Sequence, residues 1–94
     1  MAIGCQIRIT AEGEAIRIEA VANSREDVNG RYRLDIAKTS ASGSSRNVQS
    51  GEFSLTADRE EVLSTTFLGA SDAGHFQARL MLDSGSGSVS CVSP

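Results

Sequence analysis

The chain has 94 residues, which is enough for one hydrophobic core, and its 39% hydrophobic and 22% charged content is ordinary for a folded domain. A formal net charge of −3 argues against a nucleic-acid-binding domain. One histidine and two cysteines are too few for the usual zinc sites, and no apolar run reaches the roughly 18 residues that cross a membrane. We therefore expect residues 1–94 to form a single domain with no metal ion and no cofactor.

Alternation of apolar and polar residues predicts strands along most of the chain, because successive side chains of a strand point to opposite faces. The alternation is clearest at residues 5–12, 15–22, 31–38, 52–57 and 75–83, and weaker at 62–68 and 88–92. Turn residues separate these segments at Glu12-Gly13, Asn29-Gly30, Ser42-Gly43, Ser50-Gly51 and Gly69 to Gly74. This spacing predicts an all-β sandwich of about seven antiparallel strands.

Two segments depart from the alternation. Residues 39–50 are rich in serine and are expected to form a mobile loop, or a weak edge strand around residues 46–49. Asp58 and Glu61 have the spacing of a capping box, which predicts one helical turn between two strands.

The two cysteines lie at opposite ends of the chain. The alternation places Cys5 on the inward face with Ile7 and Ile9, and Cys91 on the inward face with Val89. A disulfide between these terminal strands is sterically reasonable and would stabilise the fold by roughly 4–5 kcal/mol in the chain-entropy model. Two buried free thiols are the alternative.

The N-terminal residues lack the charged and apolar regions of a signal peptide. Two interpretations are open: the protein is cytoplasmic, or the sequence is the mature form of an exported protein without its leader. A disulfide would favour the second interpretation, because such bonds persist in oxidising compartments.

Arginines lie on the outward faces of the predicted strands. If Glu12-Gly13 is a two-residue turn, Arg8 lies opposite Arg17, and such a like-charge pair is unfavourable. The candidate binding residues are the outward arginines Arg8, Arg17, Arg31, Arg33 and Arg79. They either form a functional basic surface or only keep the strand faces soluble and resistant to aggregation.

An enzyme is not indicated. His75 follows Asp72-Ala73-Gly74, which has the composition of a hairpin loop, and no GxSxG elbow accompanies it. The chain has no CxxC motif, and the glycines near Gly85 are not followed by a helix that would bind phosphate. We therefore predict no catalytic residues.

The segment Gly30–Lys38, followed by Ser42–Ser45, Gln49 and Glu52–Leu55, resembles the CsgC-like curli-assembly chaperones, and in particular their CsgH branch. The similarity covers the chain from about Cys5 to Val92. The resemblance implies an immunoglobulin-like β-sandwich in the bacterial periplasm. It also implies an ATP-independent chaperone whose partner is the unfolded curlin subunit, and which inhibits amyloid formation through transient electrostatic contacts from its strand faces.

The resemblance carries over to individual residues only in part. Arg33 matches an arginine of the family's motif strand, whereas the neighbouring Arg31 does not match a basic residue. His75 and Gln77 lie where relatives have basic residues, which dilutes the positive charge of that strand. Gly30 and Tyr32 replace a Cys-x-Cys of some relatives, so a dithiol activity is not available at that site.

The sequence thus predicts a non-enzymatic, monomeric periplasmic chaperone that binds neither nucleic acid nor membrane. The alternative is a structural or adhesive immunoglobulin-like module of the cell surface, which would self-associate or bind a ligand without changing amyloid kinetics. A small thiol oxidoreductase is a third interpretation, and insulin reduction would test it.

Overall fold

Seven antiparallel strands form two facing sheets in a computed structural model of the chain, which describes residues 3–40, 43–69, 75–85 and 87–93. The strands are β1 (Ile3–Glu12), β2 (Ala15–Ser24), β3 (Val28–Ser40), β4 (Gly43–Leu55), β5 (Arg59–Gly69), β6 (Phe76–Ser84) and β7 (Gly87–Val92). The sheet orders are β1-β2-β5 and β4-β3-β6-β7, and none of the described residues is helical. The predicted all-β, immunoglobulin-like sandwich is confirmed.

The core lies between the sheets and consists of the inward-facing residues of the alternating segments. Its buried members are Ile16, Ile18, Ala20, Ala22, Leu34, Ile36, Phe53, Leu55, Ala78, Leu80 and Leu82. Burying each of the larger side chains stabilises the fold by about 1.5–3 kcal/mol. The outward residues of the same strands are therefore left for solvent and for partners.

The β1–β2 hairpin turns at residues 13 and 14, one position later than predicted. Gly13 has a φ of 61°, a left-handed value that glycine adopts readily at the first position of a tight hairpin turn. The later turn keeps each side chain on its predicted face, but each residue of β1 now lies opposite a residue of β2 that is two positions later in the sequence than predicted. Arg8 consequently lies opposite Glu19, and Arg17 lies opposite Thr10, so the predicted Arg8–Arg17 pair was wrong.

The serine-rich segment is strand rather than loop. β3 pairs with β4 along its whole length, from Val28 opposite Leu55 to Ser40 opposite Gly43. The backbone ladder forms without apolar side chains here, and residues 43–48 are all exposed. The prediction of a mobile loop was therefore wrong, and the alternative of an edge strand around residues 46–49 was right in kind, although the strand is longer than predicted.

Two predicted turns lie inside strands because their glycines accommodate aromatic rings. Gly30 pairs with Phe53, and Gly51 pairs with Tyr32. A Cβ atom on Gly30 would lie 2.7 Å from Phe53 Cζ, and one on Gly51 would lie 3.0 Å from Tyr32 Cε1. Each glycine thus leaves room for the ring on the facing strand, and Asn29-Gly30 and Ser50-Gly51 do not reverse the chain.

The helical turn predicted at Asp58 is absent. Residues 57 and 58 form a turn between β4 and β5, and Asp58 has a φ of 62°. Asp27 Oδ1 accepts a hydrogen bond from the Ala57 amide at 2.8 Å, and the Ser24 carbonyl accepts one from the Asp58 amide at 2.8 Å. These bonds lead directly into β5, so the capping-box pattern did not indicate a helix. Of the remaining predicted turns, Ser42 and residues 70–74 lie outside the described residues.

The two sheets are connected along both sides of the sandwich. On one side Cys5 of β1 and Cys91 of β7 form a disulfide, with their Cα atoms 6.1 Å apart. On the other side the Gln49 side chain of β4 donates to Thr66 Oγ1 of β5 at 2.6 Å and accepts a hydrogen bond from Ser64 Oγ. The cysteine pairing that the sequence left open is thus a cross-link between the sheets.

The disulfide should contribute a large part of the stability. We expect the double variant Cys5→Ser with Cys91→Ser to lose about 4 kcal/mol of unfolding free energy, because the unfolded chain regains the entropy of a long open loop. Urea titration measures this loss. The alanine pair at the same positions controls for burial of a hydroxyl group and should lose a similar amount. Efficient alkylation of both cysteines in the native, unreduced protein would contradict the cross-link.

Gly30 should not tolerate a side chain. Gly30→Ala should lower the unfolding free energy by about 1–3 kcal/mol, because the added methyl group overlaps both the backbone carbonyl oxygen of Asp83 and the Phe53 ring. Gly85→Ala is the matched control, since a Cβ atom there meets nothing within 4 Å. In a Phe53→Leu background the cost of Gly30→Ala should fall only in part, because the overlap with the Asp83 carbonyl oxygen remains, and an unchanged cost would show that the ring contributes nothing.

Candidate functional site

The five candidate arginines lie on two opposite surfaces of the sandwich. Arg8 and Arg17 are on the outer side of β1-β2-β5, which we call the three-stranded face. Arg31, Arg33 and Arg79 are on the outer side of β4-β3-β6-β7, the four-stranded face. Alternation along a strand tells whether a residue points outward, but not to which sheet the strand belongs. The sequence therefore grouped residues that the fold separates.

Arg8 forms an ion pair that spans the three-stranded face. Its Nη2 atom lies 2.8 Å from Oε1 of Glu60 on β5, so the pair crosses over β2. In the strand register, Arg8 of β1 lies opposite Glu19 of β2, and Glu60 of β5 lies opposite Asn23 of β2. Val21 lies midway between Glu19 and Asn23 on β2. Val21 is only 1% exposed although it is not part of the core cluster between the sheets. The hydrogen bond from Arg8 and the charge of Glu60 raise the pKa of the Arg8 guanidinium.

Arg17 also has carboxylate partners on the three-stranded face. Its Nη1 atom lies 2.8 Å from Glu12 Oε1, and its Nε atom lies 3.6 Å from Glu19 Oε1. Both candidate arginines of this face are thus neutralised locally. At these two positions the three-stranded face presents ion pairs rather than unpaired positive charge.

Arg31 is similarly balanced at one end of the four-stranded face. It lies between Glu52 of β4 and Asp83 of β6 in the cross-strand register. Its Nη2 atom is 3.9 Å from Glu52 Oε1. An incoming anion would meet two carboxylates beside this arginine.

In the middle of the four-stranded face, arginines outnumber carboxylates. Asp35 forms ion pairs with Arg46, whose Nε atom lies 3.0 Å from Oδ1, and with Arg33, whose Nη2 atom lies 4.0 Å from Oδ2. Arg79 lies opposite Asp35 on β6, and no ion pair to Arg79 occurs within residues 3–40, 43–69, 75–85 and 87–93. We call Arg33, Asp35, Arg46 and Arg79 the arginine cluster. It carries three guanidinium groups around one carboxylate, so its surplus charge is positive.

Arg46 was missed by reasoning from the sequence. It lies in the serine-rich half of β4, where the inward positions are polar, so the segment gave no sign of which side chains point outward. The alternation of Arg46 and Val48 with Asn47 and Gln49 was the only available signal.

Large apolar side chains accompany the arginine cluster on the four-stranded face. Val48, Met81 and Val92 are 46%, 45% and 60% exposed. Val48 is level with Asp35, Met81 with Arg33, and Val92 with Arg79. The surface therefore offers apolar contact area and positive charge side by side.

A shallow hollow lies at the edge of the arginine cluster. Ala37 of β3 has Arg46 beside it on β4 and Gln77 beside it on β6, and its small side chain leaves space between them. The hollow measures about 230 Å³ and is lined by Asp35, Ala37, Arg46, Gln77, Arg79 and Val92.

Other kinds of site receive no support from this part of the chain. Among the described residues there is no group of three or more histidine, cysteine, aspartate or glutamate side chains placed to hold a metal ion. No helix long and apolar enough to cross a membrane occurs within the same ranges. His75 is exposed, and its carbonyl oxygen accepts a hydrogen bond from the Thr39 amide at 2.9 Å.

Comparison with known proteins assigns the family. A sequence model of the CsgH protein family matches residues 4–93. The chain belongs to the CsgH family. The solution structure of R. palustris CsgH is similar to this CsgH-family chain with a TM-score of 0.82 and 28% identity, over 96% of this chain and 89% of that one. The resemblance inferred from the sequence is confirmed.

Two further structures share the fold of this CsgH-family chain. The E. coli curli protein CsgC matches with a TM-score of 0.84 and 19% identity, over 99% of both chains. The Bacillus subtilis sporulation control protein Spo0M matches with a TM-score of 0.57 and 11% identity, over 99% of this chain and 48% of that one. A search of curated proteins gives no match.

The arginine cluster should depend on Asp35 for its stability. Asp35→Asn should lower the unfolding free energy by about 1 kcal/mol, because Arg46 and Arg33 lose their carboxylate and three positive charges then repel one another. Urea titration measures the loss, which should shrink near 1 M salt because the repulsion is screened. Asp83→Asn, an exposed change on the same face, is the control. An equal loss in both variants would show that Asp35 has no special place in the cluster.

Proposed function

We propose that this CsgH-family protein is a periplasmic chaperone that delays amyloid formation by unfolded curli subunits, and that the four-stranded face contacts them. The observation that carries the proposal is the arginine cluster, in which three arginines surround one aspartate and exposed valine and methionine side chains lie beside them. The name of the E. coli relative, a curli protein, supports a curli subunit as the partner. Family membership supports a curli-related role.

Of the five arginines that the sequence singled out, we assign the client contact to Arg33 and Arg79, together with Arg46. Arg8, Arg17 and Arg31 contribute less, because each has at least one carboxylate partner of its own, whereas Arg33, Arg46 and Arg79 share the single carboxylate of Asp35. The apolar members of the surface, Val48 and Met81, provide contact area for the apolar residues of an extended client.

Such a surface delays amyloid formation without an energy source. Amyloid grows when identical segments pair as strands, so any contact that occupies a segment transiently reduces the rate of nucleation. Exposed charge speeds the encounter, and its screening by water and salt keeps the complex short-lived. A small amount of chaperone therefore acts on many client chains.

The edge of the four-stranded sheet discourages the sandwich from joining the growing fibril. In the first half of β4, the core-facing positions Ser45 and Asn47 are exposed and polar. A client strand added beside them would find no apolar surface to cover. Polar edges of this kind protect natural sheets from edge-to-edge association.

The disulfide supports the periplasm as the location. The bond between Cys5 and Cys91 requires an oxidising compartment, and the bacterial periplasm is one. We propose that the protein acts there as a monomer, without ATP, a cofactor or a catalytic step.

A thioflavin assay with purified curlin tests the proposal. The protein at a small fraction of the client concentration should lengthen the lag phase, and the triple variant Arg33→Gln, Arg46→Gln, Arg79→Gln should abolish most of that effect. The matched control is Arg8→Gln, Arg17→Gln, Arg31→Gln, which removes the same charge but should retain the delay. Circular dichroism and thermal melting establish that both variants are folded.

The outcomes separate the alternatives. Equal loss of activity in the two triple variants would contradict the assignment to the four-stranded face and indicate an effect of net charge. No delay by the unmodified protein would contradict the chaperone function and favour the adhesive module, for which sedimentation would detect self-association. High salt should weaken the delay if exposed charge guides the contact.

A further inference from the structure

We propose that the hollow above Ala37 is a subsite for the carboxylate of an acidic side chain in an extended partner segment. The proposal rests on the proposed function, because the partner is taken to be the unfolded client of the four-stranded face. It adds a specific place on that face and a specific chemical group.

The hollow exists because of one small side chain at the centre of the sheet. Ala37 lies on β3 with paired strands on both sides, Arg46 on β4 and Gln77 on β6. These neighbours are long and polar, so they form walls, whereas the alanine forms the floor. The resulting volume of about 230 Å³ exceeds the roughly 30 Å³ of a water molecule and accommodates the carboxylate of a side chain with its stem.

Hydrogen-bond donors line this hollow. Arg46 uses Nε to bind Asp35 at 3.0 Å, and its terminal Nη atoms make no other ion pair among the described residues. Arg79 has no ion pair in the part of the chain that the structure describes, and Gln77 adds an amide group. Guanidinium groups match the planar geometry of a carboxylate and bind it through two parallel hydrogen bonds. The group that this arrangement fits best is therefore a second carboxylate, next to that of Asp35.

The carboxylate of Asp35 argues against a phosphate group as the ligand of the hollow. Asp35 lies at the rim of the hollow and carries a negative charge, which repels a doubly charged anion more strongly than a singly charged carboxylate. The apolar side chains nearby are unsuited to a free ion but suit the residues that flank an acidic side chain in a peptide.

The positions of these apolar side chains specify the partner segment. Val48, Asp35, Arg79 and Val92 form one row across the four strands. Neighbouring strands are about 4.8 Å apart, so Val48 and Val92 are separated by roughly 14 Å. An extended chain rises about 3.4 Å per residue, so its residues i and i+4 span the same distance on one face. The segment that fits crosses the strands of the sheet with apolar residues at i and i+4 and an acidic residue at i+2, whose side chain extends from this row toward Ala37 in the neighbouring row.

Two short peptides test this assignment by nuclear magnetic resonance. The probe is a capped Val-Thr-Glu-Thr-Val peptide, and the matched control is the same peptide with glutamine at its centre. Titration into ¹⁵N-labelled protein should shift the signals of Ala37, Gln77 and Arg79, and the acidic peptide should bind about tenfold more tightly than the control. Equal affinity of the two peptides would overturn the proposal, and so would equal or larger shifts with inorganic phosphate.

Three variants separate the hollow from the general charge of the face. Ala37→Leu fills the space without changing charge, and it should abolish the preference for the acidic peptide. Ala37→Ser keeps the space and should retain the preference. Arg31→Gln removes a charge from the same face at a position flanked by carboxylates and should also retain it. Unchanged melting temperatures establish that Ala37→Leu is folded.

The curlin assay keeps this proposal distinct from the function on which it rests. If the unmodified protein delays fibrils but binds the two peptides equally well, the subsite is wrong and the chaperone function stands. If the unmodified protein does not delay fibrils, the chaperone function fails. A retained preference for the acidic peptide would then assign the hollow to another acidic partner.

Discussion

The pairing of β3 on both of its edges is the constraint on which the core and the candidate site both depend. β3 binds β4 on one side and β6 on the other, so its alternating side chains are held in fixed directions. Leu34 and Ile36 point into the core, where they are 0% and 2% exposed. Asp35 and Ala37 point outward, where one organises the arginines and the other leaves the hollow. A shift of the pairing register by one residue would turn Leu34 and Ile36 outward and Asp35 and Ala37 inward, so the core and the arginine cluster would both be lost.

Most of the fold was predictable because alternation reports which side of a strand is buried. It placed five strands, the inward phase of Cys5 and Cys91, and much of the core. It failed where backbone bonding, rather than side-chain character, decides the structure. The serine-rich half of β4 is a strand because it pairs with β3, and Gly30 lies inside a strand at a point where the Asp83 carbonyl oxygen and the Phe53 ring leave no room for a side chain.

The candidate site was predictable only in part, because charge on a surface is a property of neighbours. The outward direction of Arg33 and Arg79 follows from the sequence. Their surroundings do not, since sheet order and register decide that Asp35 lies opposite Arg79 while Glu52 and Asp83 flank Arg31. The register also replaced the expected repulsion at Arg8 with a carboxylate neighbour, Glu19. Whether an arginine has a carboxylate beside it depends on which residues lie opposite it on the neighbouring strands. The amino-acid sequence alone does not show this.

The position of the disulfide has a consequence for the order of events during biogenesis. Cys5 and Cys91 are separated by 86 positions, so the bond encloses nearly the whole chain. A chain that enters an oxidising compartment with its N-terminus first presents Cys5 without an intramolecular partner until almost the last residue has arrived. The Cys5–Cys91 bond therefore forms only after complete delivery of the polypeptide, and during that interval the thiol of Cys5 is open to attack on small-molecule disulfides and on the disulfides of oxidoreductases, which gives a mixed disulfide and releases the other thiol.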